Sequence, residues 1–166
     1  MSIVWRDKVL SSYNGNIESV MVYDSADKKI EVPNGTFVTL EGLEGTGREV
    51  KKAVLTDGAV DALLIASPEV IYDGRGDQLE KFVNEAGVVA RAFRLADGDV
   101  ITFTEDLIGE ETIAVGDTFV TGAEGRLVKA STEPDATASP LTFVVREDAG
   151  YELTRNQKAW RFDIVK

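Results

Sequence analysis

SPEVIYDGRGDQLEKFVNEAGVVARAFRLADGDVITFT, residues 67–104, contains the only clear helix pattern of the chain, between segments that have the pattern of strands. Residues 77–80 have the form of a capping box, in which the first side chain accepts from a free amide and the fourth reaches back to the cap. An apolar face with helical spacing follows, and Gly87 can close it in the left-handed conformation. The pattern predicts one short helix near residues 77–86, which only packing against a sheet would hold.

Two strands are expected after this helix. Residues 88–95 alternate between apolar and other side chains, and residues 100–104 are rich in β-branched and aromatic side chains. Between them, Asp97-Gly98 supplies the positive φ that tight hairpins need. The stretch is therefore predicted to run from strand through turn to returning strand.

The rest of the chain is a succession of short strand patterns and turns. Asn34-Gly35 is a strong hairpin signal between two such segments. Residues 59–66 are apolar enough for a core strand or a short helix, and periodicity does not separate the two. Other strand patterns occupy residues 17–23, 36–40, 48–56, 126–130 and 141–147, and a further strand is expected directly after Gly116-Asp117.

These patterns predict a mainly β fold of the β-rich α+β kind. A chain of 166 residues suits one domain that can bury a sizeable core. We expect a small antiparallel barrel or sandwich-like domain over residues 17–166. Residues 1–16 are expected to form an N-terminal arm or an edge strand.

The composition excludes several kinds of site. The chain has no Cys and no His, so disulfides and thiolate metal sites are impossible and the usual general base is missing. A formal net charge of −11 argues against a nucleic-acid partner, because phosphate binding needs clustered Lys and Arg. No apolar run approaches the roughly 20 residues of a membrane span. We expect no cofactor, no membrane partner and a protein that stays in the cytoplasm where it is made.

Three patterns suggest chemistry but fit it poorly. The glycines of residues 42–47 match neither the Rossmann nor the Walker order, which favours an ordinary loop. Residues 96–125 contain no Lys or Arg and many carboxylates, but they lack a calcium-loop pattern, so a solvated face is favoured over a metal or glycosidase-like site. Gly98-Asp99 and Gly116-Asp117 each precede a strand, which predicts two similar turns rather than a duplication.

The C-terminal residues 155–166 are locally basic, and their apolar residues Trp160, Phe162 and Ile164 alternate on one face. This pattern predicts a closing strand of the sheet. A strand that is shared with a neighbouring subunit is the alternative.

The chain also resembles the head decoration (auxiliary capsid, or cement) proteins of tailed bacteriophages. The resemblance covers roughly residues 34–119. The residues that carry it are Ser67-Pro68-Glu69-Val70, Phe82-Val83-Asn84-Glu85-Ala86-Gly87, Ala90-Arg91-Ala92-Phe93-Arg94-Leu95 and Gly98-Asp99, with Asn34-Gly35-Thr36-Phe37-Val38, 40–43 and Arg48-Glu49-Val50 upstream.

The resemblance implies a structural virion protein that binds the outer surface of an assembled capsid and stabilises it. Its partner would be the major capsid protein, with self-association on the shell, for example as a trimer, and no enzymatic activity. Another virion component, such as a tail-tube or neck subunit, and a metal-dependent carboxylate hydrolase are the alternatives. Because aromatic and arginine side chains carry most interface energy, the expected capsid or subunit contacts are Trp5, Arg6, Tyr13, Trp160, Arg161 and Phe162.

Overall fold

The computed structural model describes residues 4–8, 16–45, 49–56, 58, 61–69, 82–108, 112–130, 141–150 and 158–166. The fold is mainly β, as predicted. The strands in these ranges are β1 (Val4–Lys8), β2 (Ile17–Tyr23), β3 (Phe37–Leu43), β4 (Val50–Leu55), β5 (Leu63–Ile65), β6 (Ala90–Phe93), β7 (Val100–Thr104), β8 (Thr118–Thr121), β9 (Leu127–Lys129), β10 (Thr142–Asp148) and β11 (Ala159–Val165). Single 3-10 turns occupy Glu105–Leu107 and Ala123–Gly125.

The strands form two sheets. Five of them close into a barrel in the order β2-β4-β3-β5-β6, and the other six form a curled half-barrel in the order β1-β7-β11-β10-β8-β9. The pairs of the barrel are antiparallel except one, in which β2 and β4 run parallel. A parallel pair needs a crossover, and here β3 lies between the two along the chain and then pairs with β4 on its other side.

The barrel wall separates two apolar cores. In β3, Val38 packs inside the barrel while Phe37 packs in the core that contains the half-barrel residues. In β5, Leu63 and Ile65 lie inside and Leu64 lies outside. Alternate residues of a strand point to opposite faces, so these strands are buried on both sides. The apolar run of residues 59–66, ambiguous in the sequence, therefore contains a core strand.

The core between the barrel and the half-barrel is built around phenylalanine rings. Phe37 of the barrel meets Phe143 edge-on, with ring centroids 5.4 Å apart. Phe103 meets Phe162 at 5.7 Å, and Phe162 meets Phe119 at the same distance. Edge-to-face pairs add about 0.5–1.5 kcal/mol each beyond their buried area. Strands from both sheets are thereby joined through one aromatic chain.

The hairpin predicted at Asn34-Gly35 is wrong, although the turn exists. Gly35 has φ +95°, as a turn glycine should. The segment before it does not pair with β3, however, because Val32 bridges to Asn84. β3 pairs with β4 and β5 instead.

The predicted helix near residues 77–86 is not present in residues 82–86, and residues 77–81 lie outside the described ranges. Asn84 exchanges both backbone hydrogen bonds with Val32, at 2.8 and 3.1 Å. Its side chain also donates to the Val32 carbonyl oxygen at 3.1 Å. An asparagine that bonds to a distant backbone in this way leaves the local bonds of a helix unmade.

The turn at Asp97-Gly98 is confirmed, but it does not make a hairpin. β6 belongs to the barrel, whereas β7 belongs to the half-barrel. The turn, with Gly98 at φ +83°, is the point where the chain passes from one sheet to the other. The strand pattern on either side cannot show which sheet each strand joins.

The chain ends lie in the half-barrel. Residues 4–8 of the predicted arm or edge strand form the edge strand β1, with Val4 opposite Phe103. The predicted closing strand β11 pairs with β7 on one side and β10 on the other. Since both its edges are occupied within the chain, β11 has no free edge on which to add a neighbouring subunit's strand.

The two Gly-Asp turns are equivalent in structure. In the first, the Asp99 carboxylate accepts from the Ala96 amide at 2.9 Å, and the Asp99 amide donates to the Ala96 carbonyl at 3.1 Å. In the second, Asp117 makes the same two bonds with Ala114, at 2.9 and 3.0 Å. The prediction of two similar turns is confirmed.

Candidate interaction surfaces

The two chain ends in which contacts were predicted are close in the fold. β1 and β11 both pair with β7, and Thr102 of β7 lies opposite Trp5 on one side and opposite Arg161 on the other. Two segments more than 150 residues apart are therefore separated by a single strand. Tyr13 lies outside the described residues, and Trp5 and Arg6 are placed here by their backbone alone.

The β11 residues predicted to form contacts are largely committed to the fold. Phe162 has no exposed surface, so it lies in the core and offers nothing to a partner that docks on the folded surface. Trp160 is half-buried against the same core, and its indole nitrogen is buried without a hydrogen-bond partner. Arg161 retains 17% side-chain exposure and pairs with Glu147 of β10. These three residues therefore offer little free apolar surface.

An exposed apolar groove lies instead beside the start of β6. Three valines are unusually exposed for their type: Val83 at 37%, Val88 at 54% and Val89 at 46%. With Pro68 and Phe82 they line a groove of ≈ 600 Å³. We call this the valine groove. Its residues belong largely to the segments that carry the family resemblance, and their sequence pattern predicts a helix and a strand rather than a surface.

A buried polar network fixes the walls of the valine groove. The Asn34 amide group donates to the Ser67 carbonyl at 3.0 Å and accepts from the Ser67 backbone N–H at 2.9 Å. Asn84 donates to the Asn34 side-chain oxygen at 3.1 Å. Asn34 and Asn84 are 2% and 7% exposed. Because buried amides that make several hydrogen bonds favour one conformation, the network fixes Asn34, Ser67 and Asn84 relative to one another beside the groove.

An arginine stands at the rim of the valine groove. Arg91 lies on β6, opposite Ser19 of β2, and its side chain is exposed. Its backbone N–H donates to the Ser67 hydroxyl at 2.9 Å. In the described ranges no carboxylate forms an ion pair with its guanidinium. Apolar side chains beside an exposed arginine are typical of a protein-binding surface.

A second cleft lies between the barrel and the half-barrel. It measures ≈ 540 Å³, and its lining includes the acidic residues Glu31, Asp106 and Glu124 together with Arg126. Across the parts of the chain that the structure describes, no three acidic side chains are arranged to hold a metal ion. The cleft thus presents carboxylates without a preformed ligand set.

A cluster of charged side chains surrounds Tyr23 at one end of the barrel. Lys29 and Lys52 lie over its ring, 5.7 and 5.1 Å from the centroid, which is the cation–π arrangement. The Tyr23 hydroxyl donates to Glu44, which also pairs with Lys29 at 3.2 Å. The carboxylates of Asp27 and Glu41, at 2.7 and 3.0 Å, raise the pKa of Lys52.

This cluster predicts a loss of stability in acid that depends on Glu44. The hydrogen bond from Tyr23 lowers the pKa of Glu44 below 4.5, burial opposes it, and Lys29 adds to the lowering. A lowered folded-state pKa stabilises the protein above the unfolded-state value and loses that effect as the pH falls through the folded-state value. We expect Glu44→Gln to reduce the drop in urea midpoint between pH 7 and pH 3.

Tyr23→Phe is the control for this prediction, because it removes the hydroxyl and keeps the ring between the two lysines. It should reduce the drop in midpoint in the same direction as Glu44→Gln. If the wild type and both variants lost equal stability in acid, the bond to Glu44 would have no part in it.

The chain matches no protein-family model, no curated protein and no solved structure. In the described ranges, no helix has the length and apolar character that crossing a membrane requires.

Proposed function

We propose that the chain is a structural virion protein that binds the outer surface of a phage capsid and stabilises the shell. The observation that supports this most is the valine groove, which presents three exposed valines beside Arg91, a residue that forms no ion pair within the described part of the chain. The net charge of the chain is −11, and an exposed apolar patch on such a charged protein indicates a surface that a partner covers. The partner in this proposal is the major capsid protein, and the place of action is the virion surface.

Modest contacts are sufficient for this role. A shell presents many equivalent sites, and copies that also touch one another gain avidity. The groove supplies apolar area, and Arg91 adds a charged contact at the rim. Trp5, Arg6 and Tyr13 remain predicted contacts at the N-terminal end.

The test is cosedimentation of the purified protein with assembled shells that lack it, followed by thermal melting of the shells. Wild-type protein should pellet with the shells and raise their melting temperature. Val89→Asp should weaken binding by about tenfold or more, since a charge placed in an apolar contact is desolvated without a partner.

Val165→Asp is the matched control, because Val165 and Val89 are both 46% exposed and Val165 lies on β11 in the other sheet. It should bind like the wild type. Equal binding by wild type and Val89→Asp would remove the groove from the proposal, and no binding by the wild type would overturn the capsid role. Rings or tubes of the protein alone in electron micrographs would favour a tail-tube or neck subunit instead.

A further inference from the structure

The last two strands occupy an unusual place in the half-barrel. β10 and β11 pair with each other and are inserted between β7 and β8, which come earlier in the chain. We call this pair the C-terminal hairpin. Without it, the half-barrel would consist of two separate pairs, β1 with β7 and β8 with β9. The sheet is therefore incomplete until the hairpin enters it.

The C-terminal hairpin also completes the aromatic core. Phe143 and Val145 of β10 and Phe162 and Ile164 of β11 are at most 1% exposed. They pack against residues of both the barrel and the half-barrel, including Phe37 and Phe103. The rest of the chain thus leaves an apolar gap between β7 and β8, which we call the socket, and the C-terminal hairpin fills it.

The two equivalent Gly-Asp turns hold one strand of the hairpin each. The Gly98 amide donates to the Ile164 carbonyl at 2.9 Å, and the Asp99 carbonyl accepts from the Ile164 amide at 2.9 Å. Gly116 and Asp117 make the same pair of bonds with Val145, at 2.8 and 2.9 Å. The two turns therefore bind the two strands of the C-terminal hairpin through the same pair of backbone hydrogen bonds.

These contacts do not require that socket and hairpin belong to one chain. Residues 131–140 join Ala130 to Leu141, and eleven peptide steps span at most about 40 Å when fully extended. A hairpin from another copy would make the same ladder bonds and fill the same core. The free energies of the single-chain form and the exchanged form then differ only by the terms for chain closure and for association. The local protein concentration therefore decides which form is favoured.

We propose that the C-terminal hairpin is exchanged between copies of this chain when they fold at high local concentration. In the exchanged form, the hairpin of one copy fills the socket between β7 and β8 of the next. Such links would join neighbouring copies without any catalysed step. The exchange does not depend on capsid binding, so it can be tested on the purified protein alone.

The test uses disulfide trapping in the full chain, which has no native cysteine. Thr118 of β8 lies opposite Val144 of β10, so Thr118→Cys with Val144→Cys bridges socket and hairpin. The variant is unfolded, refolded at low and at high concentration, oxidised and run on a denaturing gel without reductant. The fraction of chains found in cross-linked dimers should rise about tenfold for each tenfold increase in protein concentration, as long as dimers are the minor species.

The control pair lies within the hairpin, where Thr142 is opposite Val165. Thr142→Cys with Val165→Cys should give only single-chain species at every concentration, because an exchanged hairpin carries both cysteines with it. Single-chain species alone from the Thr118 and Val144 pair at high concentration would overturn the exchange. Equal dimer yields from both pairs would show chance collisions and would overturn it as well. Either result would leave cosedimentation with shells unaffected.

Discussion

Replacing Gly125 by alanine should destabilise the protein by about 3 kcal/mol or more, because the new Cβ meets backbone as well as a strained conformation. Gly125 has φ +69°, and a Cβ built there would lie 2.4 Å from the Phe37 carbonyl oxygen. Its amide donates to Thr56 at 3.2 Å, so the turn Ala123–Gly125 is held against the barrel. The Ala123–Gly125 turn and the Phe37 backbone cannot move apart without disrupting the pairing of β3. The free energy of unfolding from urea titration measures the loss.

Gly98→Ala is the matched control for this prediction. Gly98 has φ +83°, so alanine there carries the same conformational penalty, but no atom lies within 4 Å of its built Cβ. It should cost only about 1 kcal/mol. The difference between the two variants measures the clash with Phe37. Equal losses would mean that the turn and the barrel separate without strain.

Phe103→Ala should cost about 3–5 kcal/mol, which is a large part of the stability of a single domain. Phe103 is fully buried, and its ring touches three others, Phe37, Phe143 and Phe162, at centroid distances of 6.0, 6.3 and 5.7 Å. The cavity would open where the barrel, β7 and the C-terminal hairpin meet. Calorimetric melting measures the loss.

The ring contacts are isolated by a milder pair of variants, Phe103→Leu and Phe119→Leu. Both side chains are fully buried, but Phe119 has a ring contact with Phe162 alone among the described phenylalanines. Phe103→Leu should therefore cost about 1–3 kcal/mol more than Phe119→Leu, which corresponds to two further aromatic pairs. Losses of equal size would show that buried area alone sets the stability of this core.

Local patterns in the sequence predicted turns and strands better than their partners. Asp97-Gly98 and Asn34-Gly35 are turns, as their positive-φ chemistry requires. Neither makes a hairpin, because pairing is decided by which core each strand face fills. Phe37 and Leu64 face one core while their sequence neighbours face another. A run that is apolar on both faces carries no sign of which sheet it will join.

The absence of the predicted helix from residues 82–86 and the burial of Phe162 have related causes. The 3.6-residue spacing near Phe82 was real, but Asn84 pairs with Val32, fifty-two residues earlier in the chain. Phe162 alternates correctly in a strand, yet nothing in that alternation distinguishes a core face from a contact face. Val88 and Val89 are exposed beside a polar network that joins Asn34, Ser67 and Asn84, and the local sequence pattern does not show this network because its members are far apart in the chain.

The wall that β5 contributes to both cores affects how the molecule unfolds. Leu63 and Ile65 face the barrel interior while Leu64 faces the aromatic core, and all three are at most 1% exposed. Opening either core would expose one side of the same three-residue strand to water and weaken its pairing with β3 and β6. We therefore expect the barrel and the half-barrel to unfold together as one cooperative unit, in which the slowest-exchanging amides should be those of the shared wall.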